Sequence, residues 1–213
     1  MIKLCGMTRM QDIEYVNEFK PDYMGMILSP GFKRSITKEL AGQITSKLDC
    51  TIKKVGVFVD EQPENIFLIA NAVGLDVIQL HGSENAGYIS RVKQLGLPVW
   101  KAVRVRSADD IKEAVNLGCD SILLDSYVKG IAGGTGKTAD WNLIRNTQID
   151  VPFFLAGGIN AANIEEALTI SPHIDISGGI ETDGFKDRNK IKEIMNIYRK
   201  ENSAKQAQKG GLQ

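Results

Sequence analysis

The chain has 213 residues, with 26 Lys plus Arg against 26 Asp plus Glu for a formal net charge of zero, and it is 43% hydrophobic and 24% charged. A single domain of this size should bury roughly 70% of its unfolded-chain surface, and the composition excludes disordered and fibrous classes. A neutral chain without a basic patch has no field to draw in nucleic acid or anionic lipid, so neither is expected as a partner and the expected ligand is a small molecule.

The start of the chain, Met1-Ile2-Lys3-Leu4-Cys5-Gly6, turns polar at once. It lacks the apolar stretch of a signal peptide, and no segment approaches the roughly 20 apolar residues that span a bilayer, so a cytoplasmic protein is expected. The cysteines are Cys5, Cys50 and Cys119, an odd number set far apart, and only His81 and His173 could join them. That pattern argues against a disulfide framework and against a zinc site, so no metal is expected.

Short apolar runs alternate with helical periodicity along the chain. The predicted strands are Ile2 to Cys5, Tyr23 to Leu28, Lys54 to Val59, Val77 to Leu80, Val99 to Val103, Ser121 to Leu124, Phe153 to Ala156 and Ile174 to Ser177. Each is short and rich in β-branched or aromatic residues, as in a strand buried on both faces. Helix starts are signalled by Thr8 with Gln11 and by Ser107 with Asp110, both of capping-box type. In the last helix Ile191, Ile194, Met195 and Tyr198 form one apolar stripe, and the polar residues 200–213 beyond it read as a frayed tail. Eight strand-helix units at about 27 residues each point to a single (β/α)8 barrel over residues 1–199. The competing open doubly wound sheet would carry a Gly-x-Gly-x-x-Gly turn after its first strand, and Cys5-Gly6-Met7-Thr8-Arg9 does not supply one.

In such a barrel chemistry sits at the C-terminal ends of the strands. Cys5 ends the first strand and is either a small core residue or a thiol base or nucleophile at the mouth. Asp125 follows three apolar residues and is either a cap or a mouth acid. Arg34 lies beyond the second strand, as a solvated loop charge or a grip for a carboxylate. His81 ends the fourth, as a packing residue or a mouth hydrogen-bonder.

Glycine pairs close the last two strands, Gly157-Gly158 and Gly178-Gly179. Adjacent glycines leave backbone N–H groups unshielded, and a following helix N-terminus adds favourable dipole, a combination that suits a phosphate. The segment Gly133-Gly134-Thr135-Gly136-Lys137-Thr138 looks like the end of a P-loop, but Ile131 occupies the position where the motif demands glycine. It reads instead as a loop able to cover the mouth. Around a closed barrel the order six, seven, eight, one sets the phosphate turns between Asp125 and Cys5. An acid and a thiol would then flank a bound sugar phosphate, the arrangement wanted for moving protons between neighbouring carbons.

Several ordered blocks together resemble the phosphoribosylanthranilate isomerases: Lys3-Leu4-Cys5-Gly6, Ser29-Pro30 with Lys33-Arg34-Ser35-Ile36, Val55-Gly56-Val57-Phe58-Val59, Gln79-Leu80-His81-Gly82, Leu124-Asp125 with the Gly133 to Thr138 loop, Leu155-Ala156-Gly157-Gly158-Ile159, and Asp175 through Glu181. The resemblance runs from Ile2 to about Tyr198. It implies an Amadori rearrangement of N-(5-phosphoribosyl)anthranilate in tryptophan biosynthesis without metal or organic cofactor. It further implies Asp125 as general acid on the ring oxygen, Cys5 as general base at C2, and Arg34 on the anthranilate carboxylate. The substrate-binding set it implies continues with His81, Gly157, Gly158, Asp175, Ser177, Gly178 and Gly179, under a loop containing Gly133, Gly134, Thr135 and Gly136. The family usually has Ser-Ser-Gly where this chain has Ser177-Gly178-Gly179. A non-catalytic phosphosugar-binding barrel is an alternative, as is the isomerase of the related histidine-pathway aminoaldose phosphate. The latter works with two carboxylates, and Cys5 argues against it. Composition is compatible with a monomer or a homodimer.

Overall fold

Residues whose side chains alternate between two apolar environments have no polar face to give to solvent, and the short runs of this kind all become strands buried in one sheet. The computed structural model describes residues 1–125 and 141–210. Among them β1 (Ile2–Cys5), β2 (Tyr23–Ile27), β3 (Lys53–Phe58), β4 (Val77–Leu80), β5 (Val99–Arg104), β6 (Ser121–Asp125), β7 (Phe153–Ala156) and β8 (Ile174–Ile176) form a closed parallel barrel in sequence order. Closure is made by β1 against β8, with Ile2 opposite Ile174, Lys3 opposite Asp175 and Leu4 opposite Ile176. The expected strands are all present, with ends displaced by at most one residue.

Helices α1 (Met10–Phe19), α2 (Lys38–Thr45), α3 (Pro63–Val73), α4 (Ala86–Lys93), α5 (Ala108–Val115), α6 (Trp141–Arg145) and α7 (Ile164–Ile170) lie between the strands. After β8 come a 3-10 turn, Gly178–Ile180, and a small hairpin of β9 (Glu181–Thr182) and β10 (Phe185–Lys186), then α8 (Arg188–Gly210). Outward strand residues such as Leu4, Met24, Met26, Ile122 and Leu124 join the helices in one large core. Inward residues Val55, Val77, Trp100, Ala102, Leu123 and Phe154 make a second, inner cluster. The Trp100 ring lies 4.9 Å from that of Tyr23 and 4.6 Å from that of Phe154, filling the barrel floor with aromatic surface.

Two expectations need correcting. The start of α1 is not capped by Thr8 with Gln11. The buried Asp12 carboxylate accepts the N–H groups of Thr8 and Arg9 and the Arg9 guanidinium, making Arg9 the N-cap. A charged acceptor that satisfies two backbone donors at once outcompetes a neutral glutamine side chain. The α5 start, by contrast, is the expected box of Ser107 and Asp110. Secondly, α8 does not fray at residue 200 but runs to Gly210. Its stripe of Ile191, Ile194, Met195 and Tyr198 is buried as expected, and the helix then continues through Glu201, Ala204 and Lys205, all good helix formers. The Lys205 ammonium donates to the Leu168 carbonyl at 2.7 Å, tying that extension to α7.

Candidate active site

The strand ends and the loops that follow them enclose a cavity of about 910 Å³. Cys5, Arg34, His81, Asp125, Gly157, Gly158, Asp175, Ser177, Gly178 and Gly179 all line it. The expected covering loop, Gly133, Gly134, Thr135 and Gly136, lies outside the described residues.

β1 alternates Ile2 and Leu4 outward with Lys3 and Cys5 inward, so a lysine lies directly beneath the thiol on the same face. Lys3 is fully buried and pairs with Asp175 at 2.9 Å, with Cys5 among the groups that act on its charge. Both groups crowd the space beside Gly25, where a Cβ would stand 2.7 Å from the Cys5 sulfur and 3.0 Å from the Lys3 nitrogen. Burial works against the Lys3 charge, but Asp175 and Cys5 outweigh it and lift Lys3 above the ordinary lysine range. A second buried lysine, Lys186 on β10, donates to the Ser177 carbonyl at 3.0 Å and to Glu181 at 2.6 Å, and Cys5 is among the charges it feels. Burial pulls Lys186 below the usual lysine range against the pull of Glu181. Cys5 is thus one of the groups that act on both buried ammonium groups. Ser177 secures the strand end by donating its hydroxyl to the Cys5 carbonyl at 3.0 Å.

Arg34 reaches the cavity but is not an empty guanidinium. Its Nη2 donates to Glu181 Oε2 at 2.7 Å and its Nε lies 2.6 Å from Oε1. Burial raises the cost of charge on Glu181, but Arg34 and Lys186 more than offset it and hold the carboxyl below its usual range. Such pairing fixes the guanidinium plane at the rim and leaves its other edge for a ligand.

On the far side His81 faces Asp125, Lys3, Asp175 and Lys101. Burial pushes its pKa down, with Asp125 opposing, so the imidazole is neutral at neutral pH. His81 lines the cavity, with Gln79 Nε2 3.5 Å from its Nδ1. Asp125 ends β6 at the cavity wall.

The two glycine pairs supply the wall between Asp125 and Cys5, since β6, β7, β8 and β1 are successive neighbours. Gly157 and Gly158 have φ of 87° and 69°. The amide groups of Asn160 and Asn163 both donate to the Gly158 carbonyl, at 3.0 and 3.1 Å, which pins that turn. The expected helix N-terminus does not follow directly on either pair. α7 begins only at Ile164, and the β8 pair opens a three-residue 3-10 turn before the hairpin. The amides come from turns, and the positive charge beside them comes from Lys190 of α8, a lining residue whose Nζ donates to the Glu181 carbonyl at 2.6 Å. The arrangement can anchor a phosphate on one wall and present a carboxyl and a thiol to the carbons of the attached sugar.

Sequence reasoning missed Lys3, Gln79, Glu181, Lys186 and Lys190. For Lys3 a signal was present: a lysine two residues from Cys5 in a strand with no solvent face must share the thiol's side of the barrel.

The family model described as N-(5'-phosphoribosyl)anthranilate (PRA) isomerase matches residues 2–197. The chain is 43% identical over 203 residues to the N-(5'-phosphoribosyl)anthranilate isomerase of Clostridium acetobutylicum, covering 93% of this chain and 98% of that one. It superposes with a TM-score of 0.85 and 34% identity on the crystal structure of phosphoribosyl anthranilate isomerase from Thermotoga maritima, covering 93% of this chain and 98% of that one. A third similar structure, with a TM-score of 0.80 and 32% identity over 93% of this chain and 97% of its own, is a phosphoribosyl anthranilate isomerase in complex with reduced 1-(o-carboxyphenylamino)-1-deoxyribulose 5-phosphate.

Proposed function

The chain belongs to the N-(5'-phosphoribosyl)anthranilate isomerase family, and from that premise we propose that its chemistry runs between Cys5 and Asp125. It is an isomerase of tryptophan biosynthesis that carries out the Amadori rearrangement of N-(5-phosphoribosyl)anthranilate to the 1-deoxyribulose phosphate. Among the described residues no helix is long and apolar enough to cross a membrane.

In this reading the turns at Gly157-Gly158 and Gly178-Gly179, with Lys190, hold the substrate phosphate, and the free edge of Arg34 meets the anthranilate carboxylate. Asp125 gives a proton to the furanose ring oxygen, the C1–O bond breaks, and a Schiff base forms at C1. Cys5, as thiolate, removes the C2 proton to give the enolamine. The proton count closes when C1 gains a proton and the 2-hydroxyl loses one, leaving the ketone and returning both groups to their starting forms. The observation that carries the assignment is that one cavity presents Cys5 and Asp125 on either side of two amide-rich turns.

The test is loss of substrate fluorescence when phosphoribosylanthranilate is generated in situ from anthranilate and phosphoribosyl pyrophosphate. Cys5→Ala and Asp125→Asn should each lower kcat by about 10²-fold or more, while circular dichroism and Tm show an intact fold. Wild-type turnover by either variant would remove that residue from the mechanism and leave the isomerase standing.

A further inference from the structure

Gln79 is 1% exposed, projects from β4 two residues below His81 on the same inward face, and lines the cavity. Its Nε2 is turned to His81 Nδ1, 3.5 Å away. Its Oε1 is a buried acceptor with no donor among the described residues. The neighbours in register are Val57 and Trp100, and neither offers a backbone or side-chain donor to that oxygen. An amide carbonyl stripped of water and left unpaired is rare in folded proteins and costs more than a hydrocarbon of the same shape in its place. The described residues therefore carry an acceptor that they do not themselves use.

What satisfies this oxygen must bring a proton. Phosphate and carboxylate oxygens are acceptors and are ruled out, and the anthranilate N–H of the substrate lies beside its own ortho carboxylate. The ribosyl hydroxyls remain, and they occupy the stretch of substrate between the phosphate turns of β7 and β8 and the aromatic ring held at Arg34. Resting on the isomerase reading above, we infer that Gln79 Oε1 accepts a hydrogen bond from a ribosyl hydroxyl of the substrate, making Gln79 a binding residue that selects a hydroxylated sugar chain.

Such a residue should trade fold stability for affinity, and a structural residue cannot do so. Gln79→Met keeps the volume and deletes the orphaned oxygen. Its Tm should equal or exceed that of the wild type, while its Kd for reduced 1-(o-carboxyphenylamino)-1-deoxyribulose 5-phosphate rises about 5- to 30-fold. Inhibition by inorganic phosphate, which has no sugar hydroxyl, should be unchanged. Wild-type affinity of the variant for the reduced product overturns the inference. A drop in Tm of more than about 3 °C also overturns it, by making the amide a support of the fold. Failure of the isomerase reading has a different signature, since the wild-type protein would then neither bind the reduced product nor consume phosphoribosylanthranilate.

Discussion

The two glycine pairs look alike in the sequence, each closing a late strand and each followed by isoleucine, yet they are glycines for different reasons. At the β7 turn the requirement is conformational. Gly158 has φ of 69° and nothing lies within 4 Å of where its Cβ would be, so space is free and the backbone angle is not. At the β8 turn the requirement is steric. A Cβ on Gly179 would stand 1.9 Å from the Ile159 carbonyl oxygen and 2.9 Å from its carbon, while the backbone angle there is one that other residues adopt. Gly179 is where the two turns touch backbone to backbone, and this contact makes one continuous amide surface out of two loops. Gly178 meets neither demand, its Cβ position being open and its nearest neighbour Arg34 Nη2 at 4.0 Å.

Substituting each glycine separates the two demands. Gly179→Ala should be the most damaging, because a backbone oxygen cannot rotate away as a side chain can. The turns must part, at about 3 kcal/mol or more, or about 10 °C in Tm for a chain of this size, with loss of substrate affinity beyond the loss of stability. Thermal unfolding and KM measured on the same preparation check it, and a variant as stable as the wild type would show that β7 and β8 do not touch there. Gly158→Ala should cost less, about 1–2 kcal/mol, the price of a left-handed backbone for an ordinary residue. Because its side chain meets nothing, Gly158→Asn should recover part of that loss, asparagine being the side chain that tolerates this conformation best. Equal Tm values for the alanine and asparagine variants would mean that contact and not conformation governs the position.

The sequence carried the barrel because strands buried on both faces leave short β-branched runs that periodicity can detect, and seven intervening stretches were long enough for helices. It also carried the strand-end residues, since topology alone sends Cys5, His81 and Asp125 to one mouth. What it did not carry are pairings that exist only after closure. Lys3 meets Asp175, and Arg34 meets Glu181, across 172 and 147 residues of sequence. Spacing in the strand puts Lys3 on the thiol's face, but only the β1–β8 register supplies Asp175 as its buried partner. The α1 cap was misplaced by one residue because Thr8 and Arg9 are adjacent donors that share one carboxylate. The tail was read as frayed because its residues are polar, but helix propensity acts on polar residues too, and α8 continues through them.

The smallest expected effect falls at Gly178, where this chain departs from the Ser-Ser-Gly usual in the family that it resembles. Since neither space nor backbone angle demands glycine there, Gly178→Ser should fold normally and gain up to about 1 kcal/mol of stability by restricting the unfolded chain. Its hydroxyl would enter the cavity beside the proposed phosphate position and can donate one hydrogen bond to an anionic oxygen, enough to lower both KM and the inhibition constant of inorganic phosphate by about 3- to 10-fold. Parallel tightening for substrate and phosphate would locate the phosphate at the β8 turn. A more stable variant in which both constants keep their wild-type values would confine the phosphate to the β7 turn and Lys190, and the comparison between the pairs would then divide function as well as physical cause: one pair of glycines binding, the other only making room.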